Sequence, residues 1–225
     1  MRALLMVAER IGAEGSTFGL SGNVSERDAG DPGAFWITPS GVAWPEIRRA
    51  HLVQLAVSSG AVQQGTLRPS TEWRMHRALY ERHPWIGGVV HLHSPYATIL
   101  SVIHEPVRAV HYQMARVGNE VPVVPYATYG TEELAQLVRD AIQPEQRAVL
   151  LANHGLVAVG SSAADAYRAS QEVEWTARIQ YHAMLAGSPR VLTPAQLDAV
   201  RAAFKDYGQA WQPPDDADRS PAGEP

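Results

Sequence analysis

An apolar run that ends in two histidines constrains the fold of this chain more than any other feature. The run covers residues 85–90 and is followed directly by His91, Leu92 and His93. If the run is a strand, residues two apart point to the same face of a sheet, and the two imidazoles lie side by side. A third imidazole, His154, interrupts a second apolar run at residues 150–157. Three histidines with one carboxylate is a common ligand set for catalytic zinc, so the pattern predicts a metal site on a sheet.

The bulk composition narrows the class of protein. The chain has 225 residues, of which 45% are hydrophobic, and this suits one well-packed domain or at most two small ones. A net charge of −4 argues against a nucleic-acid partner. No apolar stretch approaches the length of about eighteen residues that a membrane span needs. Cysteine is absent, which excludes disulfides, thiolate ligands and a cysteine nucleophile and favours the cytoplasm.

Helix and strand patterns alternate along the chain. Helices are predicted at 2–13, 72–82, 95–103, 131–142, 162–186 and 194–204, and strands within 18–25 and at 35–38, 51–57 and 85–93. Residues 149–159 are predicted to form two short strands or one bent strand around Asn153, His154 and Gly155. Segment 60–67 is ambiguous. Ser70 and Thr71 are predicted to cap the second helix. The alternation predicts a three-layer α/β or α+β domain around a mixed sheet. We expect one domain over residues 1–208 and a disordered tail over residues 209–225.

Each candidate site residue also has an ordinary structural interpretation. A lone histidine is more often a surface or satisfied core residue, and we place His51, His76, His83, His104 and His182 in that class. His154 differs because a polar triplet inside an apolar run needs a reason, and Gly155 would let the backbone approach a ligand. Glu72 is either a first-turn carboxylate favoured by the helix dipole or a fourth ligand or base. A cupin or a metallo-β-lactamase would need a carboxylate soon after His93, and none is present before Glu105.

The order of these motifs resembles the class II aldolase/adducin family. The matching segments are Ser-Gly-Asn-Val-Ser at 21–25, Ile-Thr-Pro-Ser-Gly at 37–41, residues 69–76, His-Leu-His-Ser-Pro at 91–95, residues 125–131 and Asn-His-Gly-Leu at 153–156. They occur in the family's order and cover the chain to about residue 208. The resemblance implies a three-layer αβα sandwich around a mixed, largely antiparallel sheet.

The resemblance also implies a metal ligand set and an anion site. Zinc, or alternatively Mn²⁺ or Co²⁺, would be held by His91, His93 and His154. Glu72 would be a ligand in the resting enzyme and would become the general base when substrate arrives. The family binds a substrate phosphate through hydroxyls and backbone amides, and the matching positions are Asn23, Ser40, Gly41, Ser70 and Thr71. The last two also open a predicted helix, where backbone N–H groups favour an anion.

Two tyrosines complete the site that the resemblance implies. Tyr112 matches a residue that a neighbouring subunit places over the metal, and Tyr207 matches a second tyrosine near the C-terminus. The family precedent is a cyclic homotetramer with sites between subunits. On sequence alone, either tyrosine could equally be a packing residue.

The activity that the resemblance implies is aldol cleavage of a sugar phosphate. A ketose 1-phosphate such as L-fuculose 1-phosphate would give dihydroxyacetone phosphate and an aldehyde such as L-lactaldehyde through an enediolate. Alternatives within the family are a pentulose-phosphate 4-epimerase, which typically has Asp at the place of Glu72, and a 5-deoxypentulose-1-phosphate aldolase. A methylthioribulose-1-phosphate dehydratase typically has a cysteine that this chain lacks. An alternative of another class is a non-catalytic, adducin-like binding module.

Overall fold

An eight-stranded sheet organises the molecule, for which the computed structural model describes residues 1–204. The described residues contain ten strands, eight of them in this sheet and two in a separate pair. They are β1 Asn23–Arg27, β2 Ala34–Ile37, β3 Val53–Ala56, β4 Val62–Gln64, β5 Gly88–Leu92, β6 Val107–Arg108, β7 Glu120–Val121, β8 Val123–Val124, β9 Ala148–Leu151 and β10 Gly155–Gly160. Their order in the large sheet is β4-β3-β2-β1-β5-β10-β9-β8, while β6 pairs with β7. The β8–β9 pair is parallel, and the other pairs of the sheet are antiparallel. The expected mixed, largely antiparallel sheet is confirmed.

Six α-helices in the described part of the chain cover the two faces of this sheet. They are α1 Arg2–Glu14, α2 Trp73–Arg82, α3 Pro95–Val102, α4 Glu132–Ala141, α5 Ala163–Ala186 and α6 Pro194–Phe204. Helices α2 and α4 pack on one face, in a core with Val157 and Val159 of β10. The other helices pack on the opposite face, where Leu156 and Ala158 of the same strand meet α3, α5 and α6. A helical layer therefore covers each face of the sheet, as the predicted αβα sandwich requires.

The two central strands are buried along their whole length. Every residue of β5 and of β10 is buried, because helices cover both faces of the sheet at this point. A strand in that position needs apolar side chains on both faces, so its sequence is a continuous apolar run without alternation. This explains the apolar character of residues 88–90, where the strand predicted over 85–93 begins, while Trp85 lies outside the strand and is exposed.

The helix ends follow the sequence signals in most places. Helix α1 stops at Gly15, which is left-handed with φ 62°. The Thr131 hydroxyl accepts a hydrogen bond from the Leu134 N–H at 3.3 Å, and the Ser162 hydroxyl caps α5 in the same way at 3.2 Å. Pro95 occupies the first turn of α3, the position predicted for it.

The predicted start of α2 is wrong by one residue, and neither of the predicted cap residues, Ser70 and Thr71, occupies the N-cap position. The helix begins at Trp73, and Glu72 is the N-cap residue without a capping hydrogen bond from its side chain. The Ser70 hydroxyl does accept a hydrogen bond from the Glu72 N–H at 3.3 Å. The Glu72 carboxylate is not available for capping because it turns toward the histidines.

Short elements account for the remaining differences between the predicted and the observed secondary structure. Residues 49–51 form a 3₁₀ turn, so the predicted strand at 51–57 begins only at Val53, and the ambiguous segment 60–67 contains the short strand β4. Strands β6, β7 and β8 have two residues each, which is too short for a periodic pattern in the sequence. None of the described helices has the length and apolar character needed to cross a membrane. The single domain over 1–208 stays a prediction, and the tail at 209–225 lies outside the described residues.

Candidate metal centre and active-site cleft

Three imidazoles meet at the end of β5. Its antiparallel neighbours place Asn23 and Val157 opposite His91, which is fully buried. The ring centroids of His91, His93 and His154 are 4.8–4.9 Å apart in all three pairs. One nitrogen from each ring lies within 4.8 Å of the others. This even spacing allows one ion to contact all three rings.

The turn between β9 and β10 brings His154 to this point. Asn153 adopts a left-handed conformation with φ 55°, which a short polar side chain tolerates better than most. A Cβ on Gly155 would lie 2.5 Å from the Leu92 carbonyl oxygen and 2.9 Å from Cδ2 of His93. Gly155 therefore permits close approach, as the sequence suggested, but the approach is to β5 and the His93 ring.

Glu72 adds a carboxylate to the three rings. Its Oε2 lies 3.1 Å from Nε2 of His91, and its Oε1 lies 3.4 Å from Nε2 of His154. The side chain is buried, and Oε1 has no hydrogen-bond partner among the described residues. An unpartnered buried carboxylate oxygen is costly, and a cation between the rings would satisfy it. Three imidazole nitrogens and a carboxylate oxygen are a donor set that fits zinc or another divalent transition metal.

The electrostatics of the cluster suit ligation. Burial, reinforced by the charge of His91, lowers the pKa of His93 and of His154 to about 4, so both rings are neutral at pH 7. Burial raises the pKa of Glu72, but His91 and His154 reverse this effect and hold that pKa well below its usual range. Burial lowers the pKa of His91, and the Glu72 carboxylate more than offsets it, so the net change is upward. A metal cation would displace the proton that this carboxylate favours on His91.

A backbone carbonyl orients the most buried of the three rings. Nδ1 of His91 lies 3.0 Å from the Leu156 carbonyl oxygen, which can only accept, so Nδ1 carries the proton. Nε2 then faces the other imidazoles and would offer its lone pair once a metal displaces the proton that Glu72 favours there. Hydrogen bonds of this kind are the usual means of orienting a metal-binding histidine.

Glu72, His93 and His154 line a cleft of about 380 Å³, and His91 lies buried behind them. The residues that line the cleft are Leu20, Ser21, Gly22, Asn23, Pro39, Ser40, Gly41, Ser70, Thr71, Glu72, His93, Tyr126, Ala127, Tyr129, Asn153 and His154. All five residues that the family resemblance assigned to phosphate are among them. No Lys or Arg belongs to this lining set. An anion here would be bound by hydroxyls and backbone N–H groups beside the N-terminus of α2.

The two tyrosines of the sequence analysis do not join this cleft in the described part of one chain. Tyr112 is 47% exposed and lines another surface depression, together with Arg168 and Trp175. Tyr207 lies outside the described residues. Instead, Tyr126 and Tyr129 line the cleft, and both are more than half exposed. Sequence reasoning did not single them out, although they belong to the matching segment at 125–131.

Sequence reasoning also missed His76. We expected an ordinary structural or surface residue, and the surface option is wrong because the ring is fully buried. Its Nε2 forms a hydrogen bond with Oδ1 of Asn23, whose Nδ2 donates to Glu72 Oε2 at 3.0 Å. The signal that could have found it is spacing, because residues four apart share one face of a helix.

Known proteins resemble this chain over nearly its whole length. A family profile described as the class II aldolase and adducin N-terminal domain matches residues 2–181. A 5-methylthioribulose-1-phosphate/5-deoxyribulose-1-phosphate aldolase of Rhodospirillum rubrum is 34% identical over 212 residues, which cover 94% of this chain and 93% of that protein. An L-fuculose phosphate aldolase of Escherichia coli is 35% identical over 192 residues, 84% of this chain and 86% of that protein. A solved structure of L-fuculose 1-phosphate aldolase superposes with a TM-score of 0.86 at 36% identity, covering 91% of this chain and 95% of the other.

Proposed function

This chain belongs to the class II aldolase and adducin family, and we propose that it cleaves a ketose 1-phosphate reversibly to dihydroxyacetone phosphate and an aldehyde. The chain is a class II aldolase and therefore a carbon–carbon lyase. L-Fuculose 1-phosphate, which would give L-lactaldehyde, is our first candidate substrate. A 5-deoxypentulose 1-phosphate is the second, because the relative in Rhodospirillum rubrum is named for such a substrate.

The convergence of Glu72 and three imidazoles at the floor of one cleft carries this proposal. The carboxylate is buried and ionised, and one of its oxygens has no hydrogen-bond partner among the described residues. A binding module has no need for such an arrangement, because burying a carboxylate is costly. An enzyme that stabilises negative charge and moves a proton needs both components.

We propose that His91, His93 and His154 hold a divalent ion, with zinc as the first candidate and Mn²⁺ or Co²⁺ as alternatives. Bound there, the ion would act as a Lewis acid that draws negative charge onto the ketose carbonyl oxygen. Glu72 lies within 3.4 Å of two of these rings and is ionised, so it can exchange a proton with a substrate in the cleft. In condensation, ionised Glu72 would remove the proton from the carbon that becomes nucleophilic. Cleavage is the reverse: protonated Glu72 would return that proton to the carbon, and the proton lost by the substrate hydroxyl that becomes the aldehyde oxygen would balance it.

The rim of the cleft would bind the phosphate. Ser40, Ser70 and Thr71 supply hydroxyls, and Gly41 supplies a backbone N–H in a left-handed conformation, φ 74°, with open space around its Cα. Asn23 lines the same cleft, but its amide is already engaged with Glu72 and His76. Its side chain is therefore better placed to hold the base than to bind the phosphate.

The remaining part of the proposal is assembly. We propose a homotetramer in which Tyr112 acts on the aldehyde oxygen in the site of a neighbouring subunit, with Tyr207 as a second candidate for such a role. The exposed position of Tyr112 beside Trp175, outside the cleft of its own chain, supports this arrangement. A cytoplasmic location, which the cysteine-free composition predicts, belongs to the same proposal.

A substrate panel tests the activity. Purified protein loaded with zinc is incubated with L-fuculose 1-phosphate, 5-deoxyribulose 1-phosphate, 5-methylthioribulose 1-phosphate and L-ribulose 5-phosphate, and dihydroxyacetone phosphate is measured by coupled reduction. A Glu72→Gln preparation, purified in parallel, controls for contaminating aldolase. We expect release from at least one ketose 1-phosphate and the highest kcat/KM for a substrate with a deoxygenated end.

Two results would contradict the proposal. Conversion of L-ribulose 5-phosphate to its epimer without dihydroxyacetone phosphate would assign the chain to the epimerases instead. Absence of stoichiometric metal after reloading, together with no turnover of any substrate, would favour the binding module.

A further inference from the structure

A buried chain of hydrogen bonds leads through the protein to Glu72. His76 lies in α2, one turn after the N-cap residue Glu72, and both nitrogens of its ring have partners. Nδ1 lies 2.6 Å from the Ser25 hydroxyl, and Nε2 bonds to Oδ1 of Asn23. The Ser25 hydroxyl is also 2.8 Å from the hydroxyl of Tyr80. All these side chains are buried, so water does not compete for the bonds.

The carboxylate at one end sets the direction of every bond in this chain. An ionised carboxylate only accepts, so Nδ2 of Asn23 donates to Glu72 and Oδ1 of Asn23 faces His76. That oxygen also only accepts, so Nε2 of His76 carries the proton. Nδ1 is then an acceptor for the Ser25 hydroxyl, and the Tyr80 hydroxyl donates to Ser25.

Only the neutral ring with its proton on Nε2 can donate to Asn23 and accept from Ser25. Burial, together with the charge of His91, lowers the pKa of His76 to about 3, so the ring is neutral at pH 7. Burial raises the pKa of Tyr80, so its hydroxyl keeps the proton that it donates. If the Asn23 amide turned by half a revolution, its oxygen would face the carboxylate and its NH₂ would face the Nε2–H. Both contacts would be repulsive, so the Nε2 proton selects the orientation of the amide.

We propose that His76 is a positioning residue for Glu72 that acts through Asn23. The Nε2–H of His76 orients the Asn23 amide, and the amide holds Oε2 of Glu72 in place beside His91. Without this donor only the carboxylate opposes a turn of the amide, so the amide is held less firmly and Oε2 of Glu72 is positioned less well. The inference rests on the proposed function in one respect, namely that Glu72 moves the proton.

A matched pair of variants separates positioning from packing. In His76→Gln the side-chain NH₂ reaches the place of Nε2 and can donate to Asn23. In His76→Asn the shorter amide reaches only the place of Nδ1, so it can meet Ser25 but leaves Asn23 without a donor. Both variants lose the ring and should unfold at similar denaturant concentrations. We expect His76→Asn to lose about 10–100-fold in kcat with little change in KM, and His76→Gln to stay within about fivefold of wild type.

Three further measurements do not depend on turnover by these two His76 variants. Tyr80→Phe removes the far end of the chain, so it should lower the denaturation midpoint while kcat stays within about twofold of wild type. Nitrogen NMR of metal-free wild-type protein with labelled histidine should show His76 as the neutral Nε2–H tautomer throughout about pH 5–8. Competition with a chelator should show similar zinc affinity in the Gln and Asn variants, since neither changes a ligand.

The kcat of the two His76 variants and the tautomer of wild-type His76 test the positioning role separately from the proposed activity. Equal loss of kcat in His76→Gln and His76→Asn, with active wild type, would overturn the positioning role and leave a packing residue. An Nδ1–H tautomer in wild type would overturn it as well, even if neither variant folds. If wild-type protein cleaves no ketose 1-phosphate, the proposed function fails, and the tautomer still decides whether His76 orients Asn23.

Discussion

At the scale of single residues, Glu72 joins the two halves of the site. It occupies the N-cap position of α2 but forms no capping bond, because its carboxylate lies between His91 and His154. A cap would contribute about 1 kcal/mol to stability, so α2 forgoes that contribution here. Such a departure from local preference is typical of a functional residue.

Replacing Glu72 by Gln tests its role as a base. The amide keeps the shape of the side chain and can still accept from Asn23, but it cannot take up a proton at neutral pH. We expect kcat to fall by about 10²–10⁴ while most of the metal is retained, since three imidazoles remain. Steady-state kinetics and elemental analysis of the same preparation check both parts. Near-normal turnover would leave Glu72 as no more than a spare ligand.

Replacing a single histidine tests the metal centre. His91→Ala and His154→Ala each remove one of three ring nitrogens, so each should lose the stoichiometric metal and the activity together. His182→Ala, at an exposed ring on α5, is the matched control and should retain both. Elemental analysis after zinc loading and desalting provides the readout. Absence of stoichiometric metal in wild-type protein, after reloading, would reject the site.

At the scale of elements, the close approach of β10 to β5 places the rings. A Cβ on Gly155 would lie 2.5 Å from a β5 carbonyl oxygen and 2.9 Å from the His93 ring. Gly155→Ala should therefore destabilise the fold by about 1–3 kcal/mol and displace His93, with weaker zinc binding. Gly187→Ala, after α5, is the control because a Cβ there meets nothing within 4 Å. Urea unfolding and chelator competition measure the two effects, and equal behaviour of both variants would contradict this account.

The first turn of α5 predicts a pH dependence of stability. Asp165 accepts hydrogen bonds from the N–H and hydroxyl of Ser161 and lies 2.8 Å from Arg147. Burial raises the pKa of Asp165, but the Ser161 N–H and Arg147 outweigh it and lower that pKa. Because the unfolded state then protonates first, this stabilisation is present above about pH 4 and is lost as the pH falls through the folded-state pKa.

Asp165→Asn checks this sign. We expect a loss of about 1 kcal/mol in the free energy of unfolding at pH 7 and a smaller loss near pH 3, measured by urea denaturation at both values. Asp140→Asn alters an exposed pair with Arg139 and should change unfolding little at either pH. A loss for Asp165→Asn that grows on acidification would show that the assigned contacts do not stabilise the ionised form.

At the scale of the whole molecule, the position of Tyr112 predicts active sites shared between subunits. Inactive Glu72→Gln and Tyr112→Phe proteins are mixed under conditions that allow subunit exchange. Some hybrid sites would then contain both native groups, so activity should reappear in proportion to exchange. Sedimentation of the active species provides the second readout. A fully active monomer, or no recovery despite demonstrated exchange, would exclude the shared site.

The sequence anticipated long elements better than short ones. Helix α5 was predicted closely, and β5 was found although it begins at Gly88 rather than residue 85, because each has a long periodic or continuous apolar pattern. Strands β6, β7 and β8 were missed because two residues cannot display a period. The start of α2 was misplaced because Ser70 and Thr71 have the chemistry of caps, while tertiary contacts drew Glu72 into the N-cap position.

The sequence by itself determined the αβα class and the residues that could bind metal, because both depend on residue type and spacing along the chain. Two imidazoles two residues apart on a strand must share a face, whatever surrounds them. Only the tertiary structure decided which polar side chains reach them. His76 looked ordinary until the pairing of β1 with β5 placed Asn23 between it and Glu72. A hydrogen bond between residues about fifty positions apart depends on strand pairing and packing, which no local pattern encodes.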